Sequence, residues 1–210
     1  MNMELFATTF VTLFVVIDPI GLAPIFVALT QGMSSEHRNR VALRAILLSA
    51  GMLAIFGFFG ETLLRVIGIG MPAFRISGGM LLFLIAVDML FEKRSERRGK
   101  QSREQTGGDP SVFPLTMPLI AGPGALATMI LLTSQNSGDP AAQVTVLAVM
   151  LAVLALTFVF FRLGGLIERA LGQTGVVVVT RLLAILLAAL AVQFVLDGLR
   201  DLGVLAEMAS

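Results

Sequence analysis

The chain has 210 residues, 56% of them hydrophobic and 14% charged, with a mean hydropathy of +0.90. Soluble domains carry about a quarter charged residues, so a water-soluble domain is excluded and an all-α integral membrane protein is expected. The absence of cysteine excludes disulfides, thiolate metal sites and thiol nucleophiles, and the net charge of +1 says less than its distribution along the chain.

A span needs about 20 mostly apolar residues, and the first candidate covers 5–30. Its flank carries Glu4 and no basic residue, which argues against a cleavable signal peptide. Residues 14–30, FVVIDPIGLAPIFVALT, place Asp18, Pro19, Gly21 and Pro24 in mid-span. Lipid offers no water to satisfy freed backbone groups, so such breakers belong where protein or a polar cavity surrounds them. Pro19 leaves the carbonyl of Val15 without its donor and Pro24 does the same to Ile20, while Asp18 is suited to cap a second half-helix. The simpler alternative is that Asp18 is only a cap and the prolines only kinks. An ionisable residue near the bilayer centre costs about 2.5–3.5 kcal/mol on insertion scales, which favours a functional role.

The second and third candidates cover 41–64 and 72–91. The lone histidine, His37, precedes the second and is expected in a solvated polar loop. Arg75 lies a few residues inside the third, where it snorkels to the interface or supports a site. Residues 92–111 form a polar linker, too short and too charged to be a domain. The fourth candidate, 112–134, carries LIAGPGALATM. Pro123 frees the carbonyl of Leu119, and Gly122 and Gly124 permit unwinding. Gly122 has no side chain to cap the half-helix that follows, so its first N–H groups are left for a ligand. The fifth and sixth candidates cover 142–163 and 176–197; Gln193, deep in the last, is expected to need a partner on another helix or a water. Ala148/Ala152 and Ala184/Ala188 read as helix packing faces.

The two halves align at a nearly constant offset. Pro19 falls on Pro123, Gly60 on Gly164, Arg65 on Arg169 and Gly68 on Gly172, each 104 residues apart. Three spans per copy force opposite insertion, giving two inverted-topology three-helix repeats, 1–91 and 112–203, with broken helices 1 and 4 and a tail at 204–210. On six spans, one side of the membrane receives twelve Lys and Arg residues and the other three. The richer side is cytoplasmic, so both termini are expected to face outward.

The segments DPIGLAPIF (18–26), AFRISGGMLLFLIAVDMLF (73–91), VFPLTMPLIAGPGALATMILL (112–132) and AVQFVLDGL (191–199) resemble the MarC family of bacterial inner-membrane proteins. The resemblance runs over essentially the whole chain, and it implies a six-span protein grouped with small neutral-amino-acid transporters.

Paired breaks in corresponding spans point to a transporter's central site. The expected function is secondary transport of a small zwitterion, such as a neutral amino acid, coupled to H⁺ or Na⁺. The solute carboxylate is expected on the N–H groups after Gly122, Pro123 and Gly124. Its ammonium group, or a Na⁺ ion, is expected near Asp18, Pro19 and Gly21 and the carbonyls of Val15 and Ile20, with Arg75 and Gln193 in supporting roles. The rivals are a passive small-solute pore and a membrane scaffold or partner subunit. No GxxxxGK[ST], HExxH or GxSxG motif is present, so no enzyme is expected. The partners are then a small-molecule substrate and the lipid bilayer, with no nucleic acid.

Overall fold

A computed structural model describes residues 3–91 and 110–204; most of the polar linker and the tail beyond 204 lie outside it. Every element among the described residues is helical: α1 (Met3–Ile17), α2 (Pro19–Leu29), α3 (Ser35–Val66), α4 (Met71–Leu90), α5 (Ser111–Ile120), α6 (Pro123–Gln135) and α7 (Pro140–Asp201). α7 is interrupted at Gly172, whose φ of 65° is accessible mainly to glycine. Its two arms, Pro140–Ile167 and Thr174–Asp201, are each long and apolar enough to cross a bilayer. So are α1 with α2, α3 and α4, which makes five spans, or six if the bent pair α5–α6 is one more. Leu47, Phe59, Leu84 and Leu182 are all more than half exposed. A surface of that kind requires lipid around it.

The first break occurs where expected. Asp18 separates α1 from α2, and Pro19 takes the first helical position of α2, where its missing N–H costs nothing. α3 begins earlier than the hydropathy suggests, because Ser34 caps it by accepting from the His37 N–H at 3.3 Å. His37 therefore sits, exposed, in the first turn of α3 and not in a loop.

The fourth span is not two simple half-helices. Pro114 and Pro118 stand four residues apart, and the residue before each proline is driven out of the helical region. Phe113 adopts φ −131°, ψ 129° and Met117 φ −126°, ψ 126°, and both following prolines have cis peptide bonds. The chain closes wide turns instead, with the Leu115 N–H donating to the Pro110 carbonyl and the Ala121 N–H to that of Thr116. α5 and α6 then meet at a 57° bend.

α3 is the post that positions this bent pair. The Thr116 hydroxyl donates to the Ala45 carbonyl at 3.2 Å, and the Thr133 hydroxyl to the Gly57 carbonyl at 2.6 Å. These acceptors are twelve residues apart, about 18 Å along the helix, so the α5–α6 bend lies against the middle of α3. The first arm of α7 does the same for α1 and α2. Phe160 meets Phe14 edge-on at 6.5 Å, and Phe161 stacks on Phe26 at 4.4 Å.

Two close approaches cross between the halves. A Cβ on Gly60 of α3 would run into the Ile130 side chain of α6, and one on Gly164 of α7 would lie 2.8 Å from Val27 of α2. The second arm of α7 packs antiparallel to α4: Gly79 lies against Ala191 and Val195, and Gly198 against Ile76 and Pro72. Ala184 is buried there, whereas Ala148 and Ala152 are exposed and form no packing face within this chain.

Candidate functional site

Asp18 is 2% exposed and holds the left-handed conformation, φ 59° and ψ 64°. Aspartate tolerates this region better than most residues. Its carboxylate accepts from the Gly21 N–H at 3.1 Å, capping α2. A Cβ on Gly21 would run into that carboxylate, so the glycine makes room for the cap. Pro24 sits inside α2 and leaves the Ile20 carbonyl without a helical donor, as Pro19 leaves that of Val15.

Gly122 occupies the corresponding position before α6, in extended conformation, and provides no side-chain cap. A Cβ there would strike the Pro118 carbonyl oxygen, so the irregular α5 excludes any capping side chain. Pro123 has no N–H and the Leu126 N–H donates to the Gly122 carbonyl. The Gly124 and Ala125 N–H groups are the uncapped donors at this helix start. They carry the positive end of the α6 dipole.

The two breaks meet. A Cβ on Gly124 would lie 3.6 Å from the Val16 side chain, two residues before Asp18, and 2.6 Å from Ile85 of α4. Val16, Ile17, Ile120 and Ala121 are all essentially inaccessible, so the junction is enclosed. With Pro19 and Pro123 each at the first position of its helix, the start of α6 lies against the last turn of α1, which leads through Asp18 into α2.

Residues 3–202 fit the model of the MarC family integral membrane proteins. The chain belongs to the MarC family. It is 38% identical over 199 residues to the UPF0056 membrane protein YvbG of Bacillus subtilis, covering 92% of this chain and 93% of that one. A UPF0056 membrane protein of Archaeoglobus fulgidus is 37% identical, at 95% and 94% coverage. The UPF0056 inner membrane protein YhgN of Escherichia coli is 35% identical, at 90% and 93%. No solved structure matches the chain. As a MarC protein it is an integral, multi-pass membrane protein, and the relatives' names specify no substrate.

Two expected supporting residues lie elsewhere in this MarC chain. Arg75 pairs with Asp201 at 2.7 Å, joining the start of α4 to the end of α7. It stands ten residues from Ile85, about 15 Å along α4 from the junction. Gln193 is exposed, and its amide donates to Asp197 one turn along its own helix at 2.8 Å. Its partner is thus local and not on another helix.

Sequence reasoning gave Ser49 and Thr128 no role, and it expected Thr8, Thr9 and Thr12 to bond back to carbonyls of their own helix. Thr9 of α1, Ser49 of α3 and Thr128 of α6 are fully buried, and their oxygens have no hydrogen-bond partner among the described residues. Thr12 bonds back to the Thr8 carbonyl at 2.7 Å, but Thr9 does not. Thr9 shares the α1 face of Val16, and Thr128 the α6 face of Gly124, by helical spacing. A buried hydroxyl without a partner costs about 1–3 kcal/mol, and periodicity alone gives no sign of it.

Proposed function

We propose that this MarC-family protein is a secondary transporter of a small zwitterionic solute, of the neutral amino acid class, coupled to H⁺ or Na⁺. One observation carries the reading: the bare start of α6 lies, buried, against the end of α1 two residues before Asp18, whose carboxylate caps α2. The bare start after Gly122 suits a carboxylate. Asp18, with the Val15 and Ile20 carbonyls nearby in sequence, suits an ammonium group or a cation. The unpartnered hydroxyls of Thr9 and Thr128 flank the junction as further polar contacts.

Alternating access by rocking of two inverted three-helix repeats draws support from the reciprocity of the packing. α3 of the first half holds α6 of the second, and the first arm of α7 holds α2 of the first. The crossing contacts at Gly60 and Gly164 are 104 residues apart, as are the positive-φ glycines Gly68 and Gly172. A two-fold axis in the membrane plane generates such exchanged pairs, whereas a helical bundle without one has no reason to. This reading makes α5–α6 the fourth of six spans. It sets both termini outside the cytoplasm and the 92–110 linker within it, in a bacterial inner membrane.

The test is flux into proteoliposomes with a panel of neutral amino acids under imposed H⁺ and Na⁺ gradients. Concentrative, gradient-dependent uptake is expected. Equilibrating flux that ignores both gradients would make the protein a passive pore, and no flux for any solute would refute transport of this class.

A further inference from the structure

A second concave site lies where α2 runs into α3. It is a pocket of about 430 Å³, lined by Pro24, Val27, Thr30, Gln31, Met33 and Arg38 among others. The Arg38 guanidinium lies 5.8 Å from the centre of the Phe26 ring. Phe26 in turn stacks on Phe161 at 4.4 Å with the rings only 5° from parallel, and both phenylalanines are buried. A guanidinium resting on an aromatic face uses its π-surface and keeps its in-plane N–H donors available. No carboxylate of a described residue pairs with Arg38. An arginine over the Phe26 ring, on a pocket wall shared with Thr30 and Gln31, is placed for bidentate capture of a carboxylate.

The pocket also leads towards the junction. Gly21, Pro24 and Ala28 are all at least partly open, and their spacing of three and four residues aligns them along one face of α2. That face runs from the pocket mouth to the N–H that Asp18 caps, past the Ile20 carbonyl freed by Pro24. The second half has no counterpart of Arg38, since the positions 104 and 105 residues on are Ala142 and Gln143.

We propose that this pocket is a vestibule that captures the carboxylate group of a small solute on Arg38 before it passes along α2 to Asp18. The assignment rests on the transport reading for its purpose, but the binding step is testable without any gradient. The protein, labelled with ¹⁵N-arginine, is placed in nanodiscs of phosphatidylcholine, and the side-chain Nε–Hε resonances are followed by NMR. The Arg38 resonance is identified by its loss in Arg38→Gln and, should that variant fail to fold, in Arg38→Lys.

Sodium propionate, added at constant ionic strength, is expected to shift the Arg38 resonance saturably, whereas propylammonium chloride leaves it in place. A resonance that propionate does not shift saturably overturns the proposal. So does one that moves when phosphatidylglycerol is added to the disc and then ignores propionate, because the cation would then serve a lipid headgroup. Saturable binding without gradient-driven flux in liposomes would refute transport and leave the vestibule standing; flux without binding would do the reverse.

Discussion

Asp18 combines three functions that substitution can separate. Its backbone is left-handed at φ 59°, its side chain caps α2 through the Gly21 N–H at 3.1 Å, and it carries a carboxylate that is 2% exposed. Alanine loses the cap, about 1 kcal/mol, and strains the left-handed backbone by about 1–2 kcal/mol. Asp18→Ala is therefore expected to cost about 2–3 kcal/mol. Asp18→Gly relieves the backbone and loses the cap, and glycine is only a few tenths of a kcal/mol worse than a polar cap. Asp18→Asn keeps both backbone and cap, and removing a buried charge lowers the desolvation cost, so its stability should stay within about 0.5 kcal/mol of the parent.

Unfolding in mixed detergent micelles should rank the variants Asn, Gly, Ala in order of decreasing stability. Equal stability of the Gly and Ala variants would show that the left-handed backbone carries no strain. Function should follow a different order. If the carboxylate balances a cation or carries a proton, Asp18→Asn should fold normally and lose coupled flux. Parental flux from a well-folded Asp18→Asn protein would reduce the residue to a helix cap and leave the Gly122–Gly124 start as the surviving site.

Gly21→Ala drives a methyl group into the Asp18 carboxylate; it should displace the cap and destabilise by about 1 kcal/mol, seen as a lower midpoint in the same unfolding assay. Gly60→Ala and Gly164→Ala crowd Ile130 and Val27 and should each cost about 1–3 kcal/mol, with partial rescue by Ile130→Val and Val27→Ala respectively; failure of either rescue would remove that crossing contact. Arg75 and Asp201, at 14% and 39% side-chain exposure, should show a coupling of about 1 kcal/mol or less in a double-mutant cycle, with little change in flux, since Arg75 stands away from the junction. Reporter fusions should place the 92–110 linker in the cytoplasm and Ser210 outside; a carboxy-terminal reporter active only in the cytoplasm would invert the orientation.

Much of the fold was legible because its signals are local and chemically loud. An Asp-Pro step in an apolar run announces the start of α2, and hydropathy outlines the spans. The shape of α5 was equally available, since Pro114 and Pro118 with their pre-proline constraint forbid a regular helix. Gln193 misled because a polar residue in an apolar helix suggests a distant partner, whereas Asp197 satisfies it one turn away. Arg38 was hidden for a different reason. In the sequence it is one of a dozen charges that set orientation, and only the stacking of Phe26 on Phe161, from helices far apart in the chain, distinguishes it.

On the proposed two-fold repeat, the halves differ in chemistry at their helix breaks, and the difference has a physical reading. A strict two-fold would place identical groups at both helix starts: two carboxylates, which repel each other, or two bare N-termini, which suit only anions. Asp18 opposite Gly122 gives one start a negative charge and leaves the other with the positive end of its dipole. That pairing matches a solute bearing both charges better than a solute bearing one. The irregular α5 enforces the difference, because the Pro118 carbonyl occupies the space where a capping side chain at 122 would sit. Arg38 against Ala142 repeats the pattern at the pocket mouth. On the proposed transport reading, both departures fall on groups that would touch a polar solute, while the glycine contacts at Gly60 and Gly164 keep the register of 104 residues.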